Sequence, residues 1–291
     1  MAEPLWGLGL RLLTLSDGLL RAGLAVRASQ RPLGSQRRAL VVLDERLLDA
    51  RRGIWLIRFP ALSYTLWRSV EVSRWRMLRP WLRAPLLDFG CGDGTIGALI
   101  FPQVAVGLDR DARALAMARR KPCYQALVLA DGQTGLPFPD AVFAGVFCNS
   151  VLEHLPDLDA ALREIARVLV PGGLLAASVP GARAETYLAG IAGPGAARAF
   201  ARWQAHWHQY EGDWWIRTLA AYGLTVDHLE PYLSREAFLW FRLFAAPTFR
   251  LLERVAGPVL WRSWAPLLER LIVESVQPAE GACWLFLARK K

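Results

Sequence analysis

The densest chemistry in this 291-residue chain lies in Asp88-Phe-Gly-Cys-Gly-Asp-Gly94, with further acids at Asp109 and Asp131. Glycines at alternate positions permit a tight turn and let the backbone approach a ligand closely. Asp109 follows Gly90 by 19 residues, a spacing at which a carboxylate can take both hydroxyls of a ribose. Two ligands compete for such a loop. A dinucleotide would use Gly92, Gly94 and Gly97 as G-x-G-x-x-G. A nucleoside with a charged amino-acid tail would instead place its ammonium near Asp88 and Asp93, where clustered carboxylates repel a pyrophosphate. The charge pattern favours the second, S-adenosylmethionine (SAM), over a nicotinamide dinucleotide.

Proton acceptors are few, because the chain has four histidines. His154 follows Glu153 at the rim where substrates approach such sheets; it reads either as a base or as a residue bonding to backbone at a helix start. His206 and His208, in Ala205-His-Trp-His-Gln-Tyr210, are the other catalytic candidates. Their alternation could suggest a metal pair, but no third ligand accompanies them, so no metal is expected. His228 falls in an expected strand and reads as structural. Four scattered cysteines, Cys91, Cys123, Cys148 and Cys283, lack CxxC or zinc spacing and read as reduced thiols of a cytoplasmic protein. Met1-Ala2-Glu3-Pro4 lacks the basic leader of a secretory signal.

The elements that must position these residues follow from apolar runs. Leu86–Phe89, Val104–Leu108, Ala126–Ala130, Val142–Phe147 and Leu174–Val179 read as strands, separated by helical stretches at 95–101, 111–120 and 157–170. That alternation predicts an α/β fold with a doubly wound, Rossmann-like parallel sheet and helices on both faces. Leu224–Leu233 and Ala282–Leu287 add two more strands, for seven in all. Residues 5–28 and 39–82 read as helical, as do 183–222, and 235–275 reads as two or three apolar helices broken at Pro247, Pro258 and Pro266. The expected organisation is a helical, basic, Trp-rich cap over 1–84 and a nucleoside-binding core over 85–233, with a lid region at 183–222. A helical insertion over 234–280 and a last strand within 281–291 complete it.

Leu86-Leu-Asp-Phe-Gly-Cys-Gly-Asp-Gly94 resembles motif I of the class I SAM-dependent methyltransferases, and the resemblance runs for about 95 residues. Gly107-Leu-Asp-Arg110, Ala130-Asp-Gly132, Leu136-Pro-Phe-Pro-Asp-Ala-Val-Phe143, Asn149-Ser-Val-Leu-Glu-His-Leu155 and Glu164–Gly173 resemble the later blocks of the family in order. The wording of 136–173 resembles the "methyltransferase type 11" branch, which acts mainly on small molecules, lipids, quinones and glycans. The resemblance implies SAM as cofactor. It implies that Gly90, Cys91 and Gly92 line the methionine portion and that Asp88 orients its ammonium. Asp109 would bind the ribose hydroxyls, Arg110 would cover the adenine, and Asp131, beside Gly132, would accept from the adenine amino group. Asn149 would sit under the methionine and face the acceptor.

Composition bounds the rest. With 54% hydrophobic residues the chain is not dominated by disorder, and no uncharged apolar run is long enough to span a bilayer. Residues 1–84 hold fifteen arginines against six acids and so carry the whole +9 of the chain. Five of the 13 tryptophans lie before residue 85, eight lie after 202, and the centre has none. Arg interleaved with Trp suits packing of a lid, an anionic membrane surface with a lipidic substrate, or nucleic acid. The expected activity is methyl transfer, with O-methylation favoured, to a small or hydrophobic acceptor. An RNA methyltransferase and a non-catalytic SAM-fold binding protein are the alternatives. The expected location is cytoplasmic, with peripheral membrane contact as the variant.

Overall fold

The computed structural model describes residues 41–204 and 206–291. Seven strands form one sheet: β3 (Leu86–Phe89), β4 (Val104–Asp109), β5 (Tyr124–Leu129), β6 (Phe143–Asn149), β7 (Leu169–Pro180), β8 (Leu224–Tyr232) and β9 (Cys283–Lys290). Their spatial order is β5-β4-β3-β6-β7-β9-β8. The first five are parallel, and β9 runs antiparallel to both β7 and β8. The chain winds outward from β3 to β5, then returns to β6 on the other side of β3. This reversal opens a crevice at the carboxyl ends of β3 and β6, the place where open α/β sheets bind ligands.

Sequence chemistry explains the connecting helices. α2 (Thr95–Ile100) starts directly after the glycine loop. α3 (Ala112–Ala118) is capped by Asp111, whose carboxylate accepts from the N–H of Arg113 and Ala114. α4 (Leu158–Val168) is capped by Asp157, and Leu158, Ala161, Leu162, Ile165 and Val168 bury one stripe at helical spacing. α4 and α6 (Gly212–Ala221) cover one face of the sheet around Trp215 and Phe286.

The opposite face is covered by α1 (Leu62–Leu78), α7 (Arg235–Ala245) and α8 (Pro247–Ser275), with Leu66, Val70, Trp75, Phe238, Phe244, Leu268 and Ile272 in one apolar cluster. α1 and the pair α7 and α8, far apart in sequence, thus form a single helical layer in which α1 packs against both. α7 and α8 divide at Ala246-Pro247, while Pro258 and Pro266 lie inside α8, which is kinked at Ala256. α5 (Ala182–Gln204) is kinked at Gly193, which precedes Pro194.

One expectation is corrected. Residues 39–82 are not continuously helical: β1 (Asp44–Asp49) and β2 (Ile54–Arg58) form an antiparallel hairpin before α1. Ile54, Leu56 and Ile57 are buried, Gly53 takes a positive φ in the turn, and Ser69 and Ser73 of α1 accept from the N–H groups of Ile57 and Trp55. β-branched residues favour the pleated, half-buried surface that this contact supplies. The helix expected over 5–28 lies outside the described residues.

Candidate functional site

The glycine loop leaves β3 and bends back over β4. Gly90 and Cys91 both donate N–H to the Leu108 carbonyl, at 2.8 and 2.9 Å. Gly90 has φ +77°, and a Cβ there would come within 2.5 Å of Val151. Glycine is therefore required twice over, by backbone conformation and by the approach of the turn after β6. Cys91 is buried, and burial with the nearby Asp88 pushes its thiol well above the ordinary range, so it fills space as an inert group.

Carboxylates stand at the ends of β3 and β4 and just after β5. Asp109 Oδ2 accepts from the Gly92 N–H at 2.8 Å, and its Oδ1 accepts from the Asp111 N–H at 2.9 Å. Its carboxylate thus pins the glycine loop while staying half-buried at the crevice. Asp131 Oδ1 accepts from the backbone and side-chain amides of Gln133, leaving Oδ2 3.9 Å from the exposed Arg110 guanidinium. Gly132 next to it faces the Phe89 ring; a Cβ there would lie 2.1 Å from Phe89 Cζ.

Asp88 is more enclosed than the sequence suggests. It is buried, and its Oδ2 accepts from the Tyr124 hydroxyl at 2.6 Å. Burial and the Asp109 charge push its carboxyl up to about 7, against the Tyr124 hydrogen bond.

Asn149 ends β6 but does not project alone into the crevice. Its Oδ1 accepts from Trp75 Nε1 at 2.6 Å and its Nδ2 donates to Glu71 Oε2 at 3.2 Å, both residues of α1. Glu71, which sequence reasoning did not single out, is fully buried and is the hub of this region. It pairs with Arg68 and accepts from Trp67 Nε1 at 3.2 Å, the Ser150 hydroxyl at 3.1 Å and the Tyr232 hydroxyl at 2.8 Å. The Ser178 hydroxyl is shared between Asn149 Oδ1 at 3.0 Å and Glu71 Oε1 at 3.3 Å. Burial alone would raise the Glu71 pKa, but the Arg68 charge and the bonds from Arg68, Tyr232 and Trp67 hold it below the usual value. The hub thus locks the cap helix onto the tips of β6 and β7.

The histidine candidates separate. His154 lies in the 3-10 turn Leu152–His154 after β6, and its ring is 5.0 Å from that of His206. His208 turns away, with Nε2 2.9 Å from the Leu155 carbonyl. One ligand-type atom from each of Glu153, His154 and His206 lies within 4.8 Å of the other two, while His208 stays outside the group. Glu153 is buried, and burial pushes its carboxyl up to about 8. His206 is pushed down to about 3 by burial and by its neighbour His154.

Residues 87–177, which span the loop, the strand-tip acids and Asn149, match the family described as "Methyltransferase domain". Residues 87–177 form a methyltransferase domain of the class I SAM-dependent type. Among its relatives, trans-aconitate 2-methyltransferase of Methylobacterium radiotolerans is 41% identical over 112 residues, which is 36% of this chain and 42% of that protein. The 2-phytyl-1,4-naphtoquinone methyltransferase of Thermosynechococcus vestitus is 29% identical over 194 residues, 63% of this chain and 73% of that one. The match therefore spans less than half the length of the first of these relatives. A solved SAM-dependent methyltransferase from Thermotoga maritima shares the fold, with a TM-score of 0.52 at 13% identity over 78% of this chain and 93% of that one. In the methyltransferase domain, SAM is the cofactor that the family and the fold imply.

Proposed function

We propose that this chain transfers the SAM methyl group to a small, hydrophobic acceptor, with an acidic oxygen as the favoured target. The observation that carries the reading is the set of three acids, Asp88, Asp109 and Asp131, at successive strand ends around a loop that Asp109 itself holds in place. This donor set suits a cationic nucleoside and disfavours a pyrophosphate. Asp109 would bind the ribose hydroxyls, Asp131 the adenine amino group, and Arg110 the adenine face. Asp88 would orient the ammonium, and the backbone of Gly90, Cys91 and Gly92 would line the methionine portion.

When bound, SAM supplies an activated methyl on a sulfonium, displaced in line by the acceptor. The protein's share is alignment and exclusion of water. His206, held neutral with its pKa near 3, is too weak a base to deprotonate an alcohol. Acceptors that are already acidic, such as phenols, enols or carboxylic acids, need no stronger base. The relatives named for trans-aconitate and for a phytyl-naphthoquinone fit that range.

Among the described residues before 85, Arg58, Arg74 and Arg76 support packing over nucleic-acid binding. Arg74 makes a bidentate pair with Glu230 at 2.6 and 2.7 Å, Arg76 pairs with Glu45, and Arg58 stacks on Trp261 at 4.4 Å. A second reading, contact with a membrane holding a lipidic acceptor, is favoured by one feature. Leu251, Leu252, Val255 and Val259 form an exposed apolar row on α8, beside the exposed Arg254 and Arg262. Among the described residues no helix is long and apolar enough to cross a membrane.

Calorimetry with SAM, followed by methyl transfer across phenols, quinols and carboxylic acids, tests the proposal. SAM binding without transfer to any acceptor would favour a non-catalytic binding protein; absence of SAM binding would overturn the reading. Vesicle co-sedimentation lost in a Val255→Glu/Val259→Glu variant would support the membrane reading.

A further inference from the structure

Beside the nucleoside crevice, two chain segments bring three metal-type side chains together. One ligand atom from each of Glu153, His154 and His206 lies within 4.8 Å of the other two. His154 Nε2 is 3.9 Å from Glu153 Oε1. Ligand atoms around a tetrahedral ion sit about 3.3 Å apart, so small side-chain rotations close the group.

The two segments are stitched together independently of these side chains. The Trp207 N–H donates to the Glu153 carbonyl at 2.8 Å, and His208 Nε2 meets the Leu155 carbonyl at 2.9 Å. Gln209 Nε2 stands 2.9 Å from His206 Nδ1; with the carboxamide turned over, its Oε1 accepts from Nδ1–H and leaves Nε2 free to coordinate. A second observation points to a ligand. Glu153 is 2% exposed, and its Oε2 is buried with no hydrogen-bond partner. A buried carboxyl oxygen without a partner is costly, and a cation displacing the acid proton would satisfy it.

We propose that Glu153, His154 and His206 bind one divalent transition-metal ion at the rim of the crevice. Two imidazoles and one carboxylate select zinc, cobalt or iron(II) over magnesium or calcium, which prefer oxygen-rich shells. Three protein ligands leave at least one coordination position open. Val151 of the same turn abuts Gly90, so the ion lies on the side of the crevice beside the glycine loop. An acceptor oxygen on the open position would be oriented and made more acidic; that role alone rests on the methyl-transfer reading.

The test uses the full chain, stripped with chelator and titrated with cobalt(II), followed by visible absorption. One equivalent should develop the d–d bands of a low-symmetry site, and one equivalent of zinc should abolish them. His206→Ala and Glu153→Gln should each weaken cobalt binding at least tenfold, while His228→Ala leaves it unchanged. If Glu153→Gln does not fold, His206→Ala, on the irregular segment after α5, carries the test. Absence of saturable one-to-one binding, or binding unchanged in both His154→Ala and His206→Ala, overturns the proposal. Calorimetry of adenosylhomocysteine on the stripped protein separates the two readings. Cobalt binding without nucleoside binding removes the methyl-transfer reading and leaves this one standing.

Discussion

Removing the carboxylate of Glu71 is the sharpest test of how the cap is joined to the core. Glu71 is fully buried, and Arg68, Trp67, Ser150, Asn149 and Tyr232 all donate to it. Glu71→Ala strands the Arg68 guanidinium, whose side chain is only 21% exposed, and leaves several buried donors without an acceptor. Breaking one partner of such a pair costs about 3–5 kcal/mol. For a domain of this size each kcal/mol moves Tm by about 2–4 °C, so Tm should fall by roughly 6–20 °C. Glu71→Gln should recover little, because its amide would face the donors of Arg68 and Asn149. Adding Arg68→Ala to Glu71→Ala removes the stranded cation. The double variant should therefore be more stable than the sum of the single losses by at least about 1.5 kcal/mol. Denaturant titration of the four proteins at pH 7.5 measures the cycle. A Glu71→Ala loss below about 1 kcal/mol, or strictly additive losses, would refute the reasoning.

Asp109→Ala should weaken SAM binding by about 1.5–3 kcal/mol, roughly 10- to 150-fold, since a charged acceptor is lost; unchanged affinity by calorimetry would remove the ribose assignment. Asp88, pushed up to about 7 chiefly by burial, adds stability that is fully present below pH of about 4 and lost as pH rises through about 7. Asp88→Asn should therefore flatten the Tm–pH curve between about 4 and 7, and an unchanged slope would contradict the burial argument. In the native protein, SAM affinity should rise as pH passes about 7, because the ammonium prefers the ionised carboxyl; a flat titration would place the ammonium elsewhere. Gly90→Ala, at φ +77° and 2.5 Å from Val151, should lose at least about 2 kcal/mol of stability together with SAM affinity. Val151→Ala added to it should restore only part of the stability, because the backbone conformation stays strained; full recovery in urea melts would show that the clash alone mattered.

Much of the core was legible because its signals are local. Short apolar runs followed by glycine or aspartate read directly as β3, β4 and β5, and the acids at or just past their ends surround the loop. The hairpin over 44–58 was hidden because its apolar residues also fall at spacings of three and four, and the α1 serines that accept from the β2 backbone come through a tertiary contact. Glu71 follows Arg68 by three residues, a spacing common on solvated helix surfaces, and nothing in the sequence singles it out. Its burial follows from α1 crossing the tips of β6 and β7, which no local pattern records. The Glu153-His154-His206 group joins neighbours in sequence to a residue about fifty positions away, a proximity that the local alternation at 206 and 208 does not record.

The placement of β9 between β7 and β8 has a consequence for biosynthesis. Among the described strands β8 pairs with β9 alone, so between translation of residue 232 and residue 283 it has been made while that neighbour has not emerged. Until then its edge is unshielded, a state that invites chaperone capture or aggregation. A nascent chain stalled before that point would hold a finished nucleoside crevice beside an open sheet. Deleting a handful of C-terminal residues should accordingly harm solubility far more than their number implies.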